Sequence, residues 1–198
     1  MNVQKLNSQI RPLSETAMRA AKTRWDTIAK PVGSLGQLEE LTIRIAGIQG
    51  GEPNLDKRAV LVLCADNGVC QQGVASTPSE ITAVMAGFIA QKRSSVCVMA
   101  RCANADVIPV DMGMFRTVAE KNLLDRRVAS GTADMTSGPA MTRKQAEQAI
   151  EAGIELVRSC KEQGYRILAT GEMGIGNTTT SSAIASVLLS RDPYEMTG

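Results

Sequence analysis

The chain has 198 residues, 43% hydrophobic and 21% charged, with 22 basic and 20 acidic side chains giving a net charge of +2; it can bury a core, and it lacks the cationic field that a nucleic-acid partner requires. Aromatic residues make up only 3% and histidine is absent, which removes stacking platforms for single strands, His-based triads, imidazole acid–base chemistry and His metal ligands, so neither a metal nor a cofactor is expected. Five cysteines without C-x-x-C spacing, no bilayer-length apolar run, and an opening Met1-Asn2-Val3-Gln4-Lys5 without a signal-peptide core predict reduced thiols in a cytoplasmic protein that has no membrane contact.

Apolar residues recur at helical spacing over 13–29, with Trp25 as the one tryptophan, and predict a helix that needs a partner. Lys30-Pro31-Val32-Gly33-Ser34-Leu35-Gly36 then forces a shaped turn before a second helix over 37–48. Residues 1–50 therefore read as a small helical part, and 51–198 as an α/β nucleotide-binding domain that stops short on its C-terminal side.

Between Gly51 and Asp66, the unbroken apolar run 58–65 has the character of a parallel strand covered on both faces. Ser76-Thr77-Pro78-Ser79-Glu80 resembles a helix start, with Thr77 and Glu80 as reciprocal caps, and predicts a helix to about residue 91. A helical stretch over 96–103 precedes a second strand over 105–111. Residues 115–140 have weak periodicity and read as a surface excursion. A capping box at Thr142 and Gln145 opens a helix that Gly164 stops, a third strand covers 165–170, and a glycine-rich turn over 171–177 leads into a helix over 178–189. Alternating strands and helices indicate an α/β fold, a mainly parallel Rossmann-like sheet flanked by helices.

Gly171-Glu172-Met173-Gly174-Ile175-Gly176-Asn177-Thr178-Thr179 lies where a strand hands over to a helix, a position at which free amides and the helix dipole favour an anion. Gly174 and Gly176 leave room for a phosphate, and Asn177, Thr178 and Thr179 add short donors; without a Lys-Ser/Thr ending the loop suits a monophosphate rather than a magnesium triphosphate. A plain glycine-rich turn with a capped helix fits the same letters. Asp66 and Asp111 follow the first two strands, where open α/β sheets place ligands; each could orient a ribose hydroxyl or simply fix a turn. Glu172 could bond a ligand or tie its own loop, and Ser76 and Met85 could line an apolar pocket or serve as cap and core. Arg116, Lys121, Arg126 and Arg127 are interrupted by Glu120 and Asp125 and receive no role.

Four segments in order, namely the 30–36 turn, Asp66-Asn67-Gly68-Val69 with Gly73-Val74, Gly138-Pro139-Ala140-Met141-Thr142, and the 171–179 loop, make the chain similar to the nicotinate-nucleotide:dimethylbenzimidazole phosphoribosyltransferase family over nearly its whole length. The resemblance implies a parallel α/β sheet with a smaller helical part, a homodimer, and transfer of phosphoribose from nicotinate mononucleotide to 5,6-dimethylbenzimidazole in cobalamin synthesis. It implies that 174–179 takes the nucleotide phosphate, that Ile175 belongs to that loop, that Glu172 lies near the nucleotide, and that Ser76, Ile81 and Met85 sit beside the benzimidazole. Asn67 stands where the family usually has histidine and Val84 where glutamine is expected, which bears on the acceptor base. The family's catalytic glutamate lies downstream of the loop, beyond Gly198, so no catalytic residue is assigned; a non-catalytic module that holds a nucleotide phosphate is the alternative.

Overall fold

The structure, a computed structural model, describes residues 6–197; the opening residues 1–5, read above for a leader, and Gly198 lie outside the described residues. The chain divides into two compact units, Met1–Asp56 and Lys57–Gly198.

In the first unit, α1 (Glu15–Thr27) begins at Ser14, whose Oγ accepts the amide of Ala17 at 3.3 Å. Its partner α2 (Gln37–Gln49) ends at Gly50 in the left-handed conformation that glycine favours at a helix stop. The two approach so closely that a Cβ on Gly47 would lie 2.6 Å from Met18 Cγ. Trp25 Nε1 donates to Thr42 Oγ1 at 2.8 Å, which satisfies the indole's one polar group inside an apolar contact. The 30–36 turn is held by Lys30 Nζ, 2.7 Å from Glu39 Oε1, and by the Leu35 amide donating to the same oxygen at 3.0 Å. The Lys30 hydrogen bond, followed by that of Leu35, holds the Glu39 carboxyl below its ordinary pKa.

The second unit is built on four parallel strands, β1 (Arg58–Ala65), β2 (Ala105–Gly113), β3 (Leu124–Asp125) and β4 (Ile167–Met173), in the order β3-β2-β1-β4. Its helices are α3 (Ile81–Ala90), α4 (Ser95–Cys102), α5 (Arg143–Glu162), α6 (Asn177–Leu189) and the short α7 (Pro193–Met196), with a 3-10 helix at Gly68–Gln72. Alternation places Val62 and Cys64 on one face of β1, where they join Ala83, Ala86 and Ile89 of α3, Cys97 of α4, and Met114 in one core cluster. Ala59 and Leu61 on the other face are also buried. Covering on both faces is why the β1 sequence is apolar without alternation.

The sheet and helices agree with the α/β expectation, and α5 carries both halves of the capping box at Thr142 and Gln145. Three local expectations are corrected. Thr77 and Glu80 do not cap α3: Ile81 and Thr82 donate to the carbonyls of Pro78 and Ser79 in a tight turn, the helix starts at Ile81, and Glu80 pairs with Arg116 instead, at 3.4 Å. The third strand starts only at Ile167, since Tyr165 donates back to Cys160 at the end of α5, and it ends later than its propensity suggests because Gly171, Glu172 and Met173 pair with Val62, Leu63 and Cys64; the ladder outweighs glycine's poor strand preference. The glycine-rich turn thus shrinks to 174–176. Finally, 115–140 is no free excursion. Its amides at Arg126, Val128 and Gly131 donate to Asp111, Met112 and Gly113, and Thr132 donates to Asp66, so the segment runs along the C-terminal rim of the sheet.

Candidate anion-binding site

After β1, β2 and β3 extend the sheet in one direction and β4 adds on the opposite side of β1, so the strand order reverses between β1 and β4. In open α/β sheets the crevice at the carboxyl ends of two such strands is where ligands bind. The loops that leave them here are 66–69 and 174–176.

The two peptide groups that flank Ile175 tie the 174–176 loop to its neighbours. The carbonyl of Ile175 accepts from Asn67 Nδ2 at 2.9 Å and from Cys70 Sγ at 3.0 Å, while the Ile175 amide donates to Thr82 Oγ1 at 3.1 Å. Contact is tight enough to dictate the glycines. A Cβ on Gly174 would lie 2.2 Å from the Ala65 carbonyl oxygen, and one on Gly176, at a φ of +82°, would lie 2.7 Å from Cys70 Sγ. Both glycines are therefore required by packing of the protein against itself. Beyond them, Gly176 occupies the N-cap position of α6 without a side-chain cap. Asn177 donates its amide to Gly174 and Thr180 to Gly176, but the amides of Gly176, Thr178 and Thr179 have no acceptor among the described residues. Three free N–H groups at the positive end of a 13-residue helix are the arrangement that favours an anionic group.

Glu172 lies in β4, exposed, and its carboxylate accepts from Asn177 Nδ2. It ties the strand to the start of α6. Asp66 is buried at the end of β1; Oδ2 accepts the Phe115 amide at 2.6 Å, whereas Oδ1 is buried without a partner. Asp111 fixes its own turn, with Oδ1 accepting from the amides of Gly113 and Met114 at 2.9 Å each.

Beside the loops, a cleft of about 380 Å³ is lined by Asn67, Cys70, Gln71, Ser76, Glu80 and Phe115, among others. Ser76 faces this cleft; Ile81 and Met85, half-buried on α3, are not among its lining residues, and Val84 is exposed. Burial, reinforced by the nearby Asp66 charge, pushes the Cys70 thiol above its ordinary pKa, which keeps it neutral and able to donate to Ile175. Among the described residues no group of three or more His, Cys, Asp and Glu side chains could hold a metal, and no helix is long and apolar enough to cross a membrane.

A family model described as Phosphoribosyltransferase matches residues 10–198. The chain belongs to this phosphoribosyltransferase family. It is 41% identical over 191 residues to the nicotinate-nucleotide–dimethylbenzimidazole phosphoribosyltransferase of Clostridium tetani, a match that covers 96% of this chain and 53% of that protein. The enzyme of the same name from Chloroflexus aggregans is 46% identical over 193 residues, covering 96% and 55%. A crystal structure of the nicotinate-nucleotide–dimethylbenzimidazole phosphoribosyltransferase from Thermus thermophilus superposes with a TM-score of 0.86 at 37% identity, covering 92% of this chain and 56% of that one. The chain spans about half the length of the curated relatives it matches.

Within this member of the family, two residues given no role from sequence turn out to organise the rim. Arg127 places Nη1 3.6 Å from Asp111 Oδ2 and donates from Nη2 to the Met114 carbonyl, with 23% of its side chain exposed. One arginine of an interrupted basic run carries no local mark that would separate it from its neighbours. Thr82, fully buried on α3, did carry a signal: it is a lone hydroxyl in the apolar stretch Ile81-Thr82-Ala83-Val84-Met85-Ala86.

Proposed function

We propose that this chain is the nucleotide-binding part of an enzyme that transfers phosphoribose from nicotinate mononucleotide to 5,6-dimethylbenzimidazole, releasing nicotinate and forming α-ribazole 5′-phosphate. The observation that carries the proposal is the set of free amides at Gly176, Thr178 and Thr179 at the sheet's switch point, a site matched to the 5′-phosphate of a mononucleotide. Ile175 and Asn177 belong to the same loop, and Glu172 and Asp66 flank it at the ends of β4 and β1. Ser76 lines the adjoining cleft and is the residue closest to hand for the acceptor base, with Ile81 and Met85 assigned to that side by the family resemblance.

In this reaction the bond from C1′ to the pyridinium nitrogen breaks with its electron pair passing to nitrogen, so the leaving nicotinate ring becomes neutral and needs no acid. A benzimidazole nitrogen attacks C1′ from the opposite face and inverts it, and the proton on the other nitrogen passes to a carboxylate base. Holding both rings in line removes much of the entropic barrier. The base is assigned to the glutamate that the family resemblance places beyond Gly198. The homodimer implied by that resemblance is part of the same proposal, as is a cytoplasmic location, which the five free cysteines support.

A second reading, a phosphate-holding module without turnover, is favoured by one observation: Glu80, the only carboxylate that lines the cleft among the described residues, is engaged by Arg116. Incubation with nicotinate mononucleotide and dimethylbenzimidazole, followed by chromatography, decides between them. Formation of α-ribazole phosphate supports transfer, binding of the mononucleotide without product supports the module, and neither binding nor product overturns both. Light scattering tests the dimer against the chain mass of 21.0 kDa.

A further inference from the structure

An anion loop works only if its amides are held in place before the ligand arrives, since ordering them on binding would cost affinity. The loop is held at Ile175, through the peptides on either side of it. The Ile175 carbonyl has two donors from the β1 side, Asn67 and Cys70, but its amide has a single acceptor, Thr82 Oγ1 at 3.1 Å. Thr82 is fully buried, and the other buried residues of α3 are Ala83, Ala86, Gly87, Ile89 and Ala90, none of which offers a side-chain acceptor. A hydroxyl in such surroundings is favourable only when hydrogen-bonded, and its bond crosses from α3 to the loop.

We propose that Thr82 is a positioning residue of the phosphate site: by accepting the Ile175 amide it fixes the rotation of the 174–175 peptide, and so sets where the free amides of Gly176, Thr178 and Thr179 stand. The inference rests on the anion-binding reading above and adds to it a residue that touches no substrate. The 174–175 peptide is restrained at its carbonyl by the Asn177 amide, at 3.1 Å; the bond to Thr82 fixes the other end of the same peptide, and Gly174 and Gly176 have no side chains to add a further restraint.

The test uses the whole chain, ¹⁵N-labelled and titrated with nicotinate mononucleotide, with inorganic phosphate as a second probe. Thr82→Val keeps the shape and removes the acceptor; its affinity for the mononucleotide falls at least about tenfold, whereas Thr82→Ser, which restores the hydroxyl, stays within about threefold of the wild type. Leu156→Ala, in a buried position on α5, lowers the melting temperature but leaves the affinity unchanged, which separates positioning from general loss of stability. If Thr82→Val does not fold, Thr82→Ala is read in its place. In the wild type, the Ile175 amide exchanges with solvent more slowly than those of 176, 178 and 179. Affinity within twofold for the valine or alanine variant, or fast exchange at Ile175, overturns the role of Thr82 while leaving the phosphate site intact. Absence of any response at 176, 178 and 179 in the wild type overturns the site itself, and Thr82's role with it.

Discussion

β1 and β4 are neighbours in one parallel ladder, yet their surroundings are opposite. β1 buries Ala59, Leu61, Val62 and Cys64, and the helix packed nearby, α3, buries six residues. In β4 no residue is fully buried and Ala169, Thr170 and Glu172 are exposed; the following α6 buries only Ser186 and leaves Val187 and Leu188 79% and 78% exposed. The 174–176 loop belongs by chain order to the poorly covered half, but its hydrogen bonds run to Asn67, Cys70 and Thr82 in the well-covered half. A loop can thus be mounted on a weakly packed strand when the elements beside it supply the anchors.

The point at which the halves meet gives the largest effect. Gly174→Ala drives a Cβ into the Ala65 carbonyl oxygen, at 2.2 Å, and neither backbone can yield without parting the ends of β1 and β4. A loss of about 3 kcal/mol in urea unfolding is expected, together with loss of mononucleotide binding. Asp111→Ala comes next. It removes the acceptor of two amides and leaves Arg127 without its carboxylate, at a cost of about 2 kcal/mol by the same measurement. If Gly174→Ala were milder than Asp111→Ala, the β1–β4 junction would not be what anchors the loop.

A smaller effect depends on pH. Burial first, then the hydrogen bond that Tyr165 donates to Asp106 at 2.7 Å, raises the Tyr165 phenol to about 12 from a usual value near 10. Because the folded pKa is the higher, the phenol's contribution is complete below pH 10 and is lost as pH rises through 12. Tyr165→Phe therefore flattens the fall in stability between pH 10 and 12 relative to wild type. Cys64, raised by burial to about 11, contributes between pH 9 and 11 in both proteins, so the difference between the two curves isolates the tyrosine.

What could be read from sequence follows the same division. The continuous apolar run of β1 and the reciprocal cap at Thr142 and Gln145 are local signals with one structural solution each, and both elements are where they were expected. The end of β4 was hidden because Gly171 and Glu172 are poor strand formers that become strand only by pairing with β1. Thr77 and Glu80 have the spacing of a cap but turn too tightly to use it. The loop itself was legible as a strand–glycine–helix handover, though its glycines serve contacts with Ala65 and Cys70 that sequence spacing does not disclose. Arg127's role needed the fold, since its partner Asp111 arrives from another strand.

The smallest expected effect bears most directly on the contrast between the halves. Leu188 and Val62 are both aliphatic, one exposed on α6 and one 4% exposed in the core of β1. Val62→Ala removes methyl groups that contact the buried cluster and should cost about 2 kcal/mol, from lost transfer energy plus the cavity left behind. Leu188→Ala removes atoms that already meet solvent, and alanine is the better helix former, so its change in urea midpoint should stay within about 0.5 kcal/mol. A cost above about 1 kcal/mol for Leu188→Ala would mean that something covers the α6 face in solution. The loop would then have support on both sides, and its dependence on Thr82 and Asn67 would shrink accordingly.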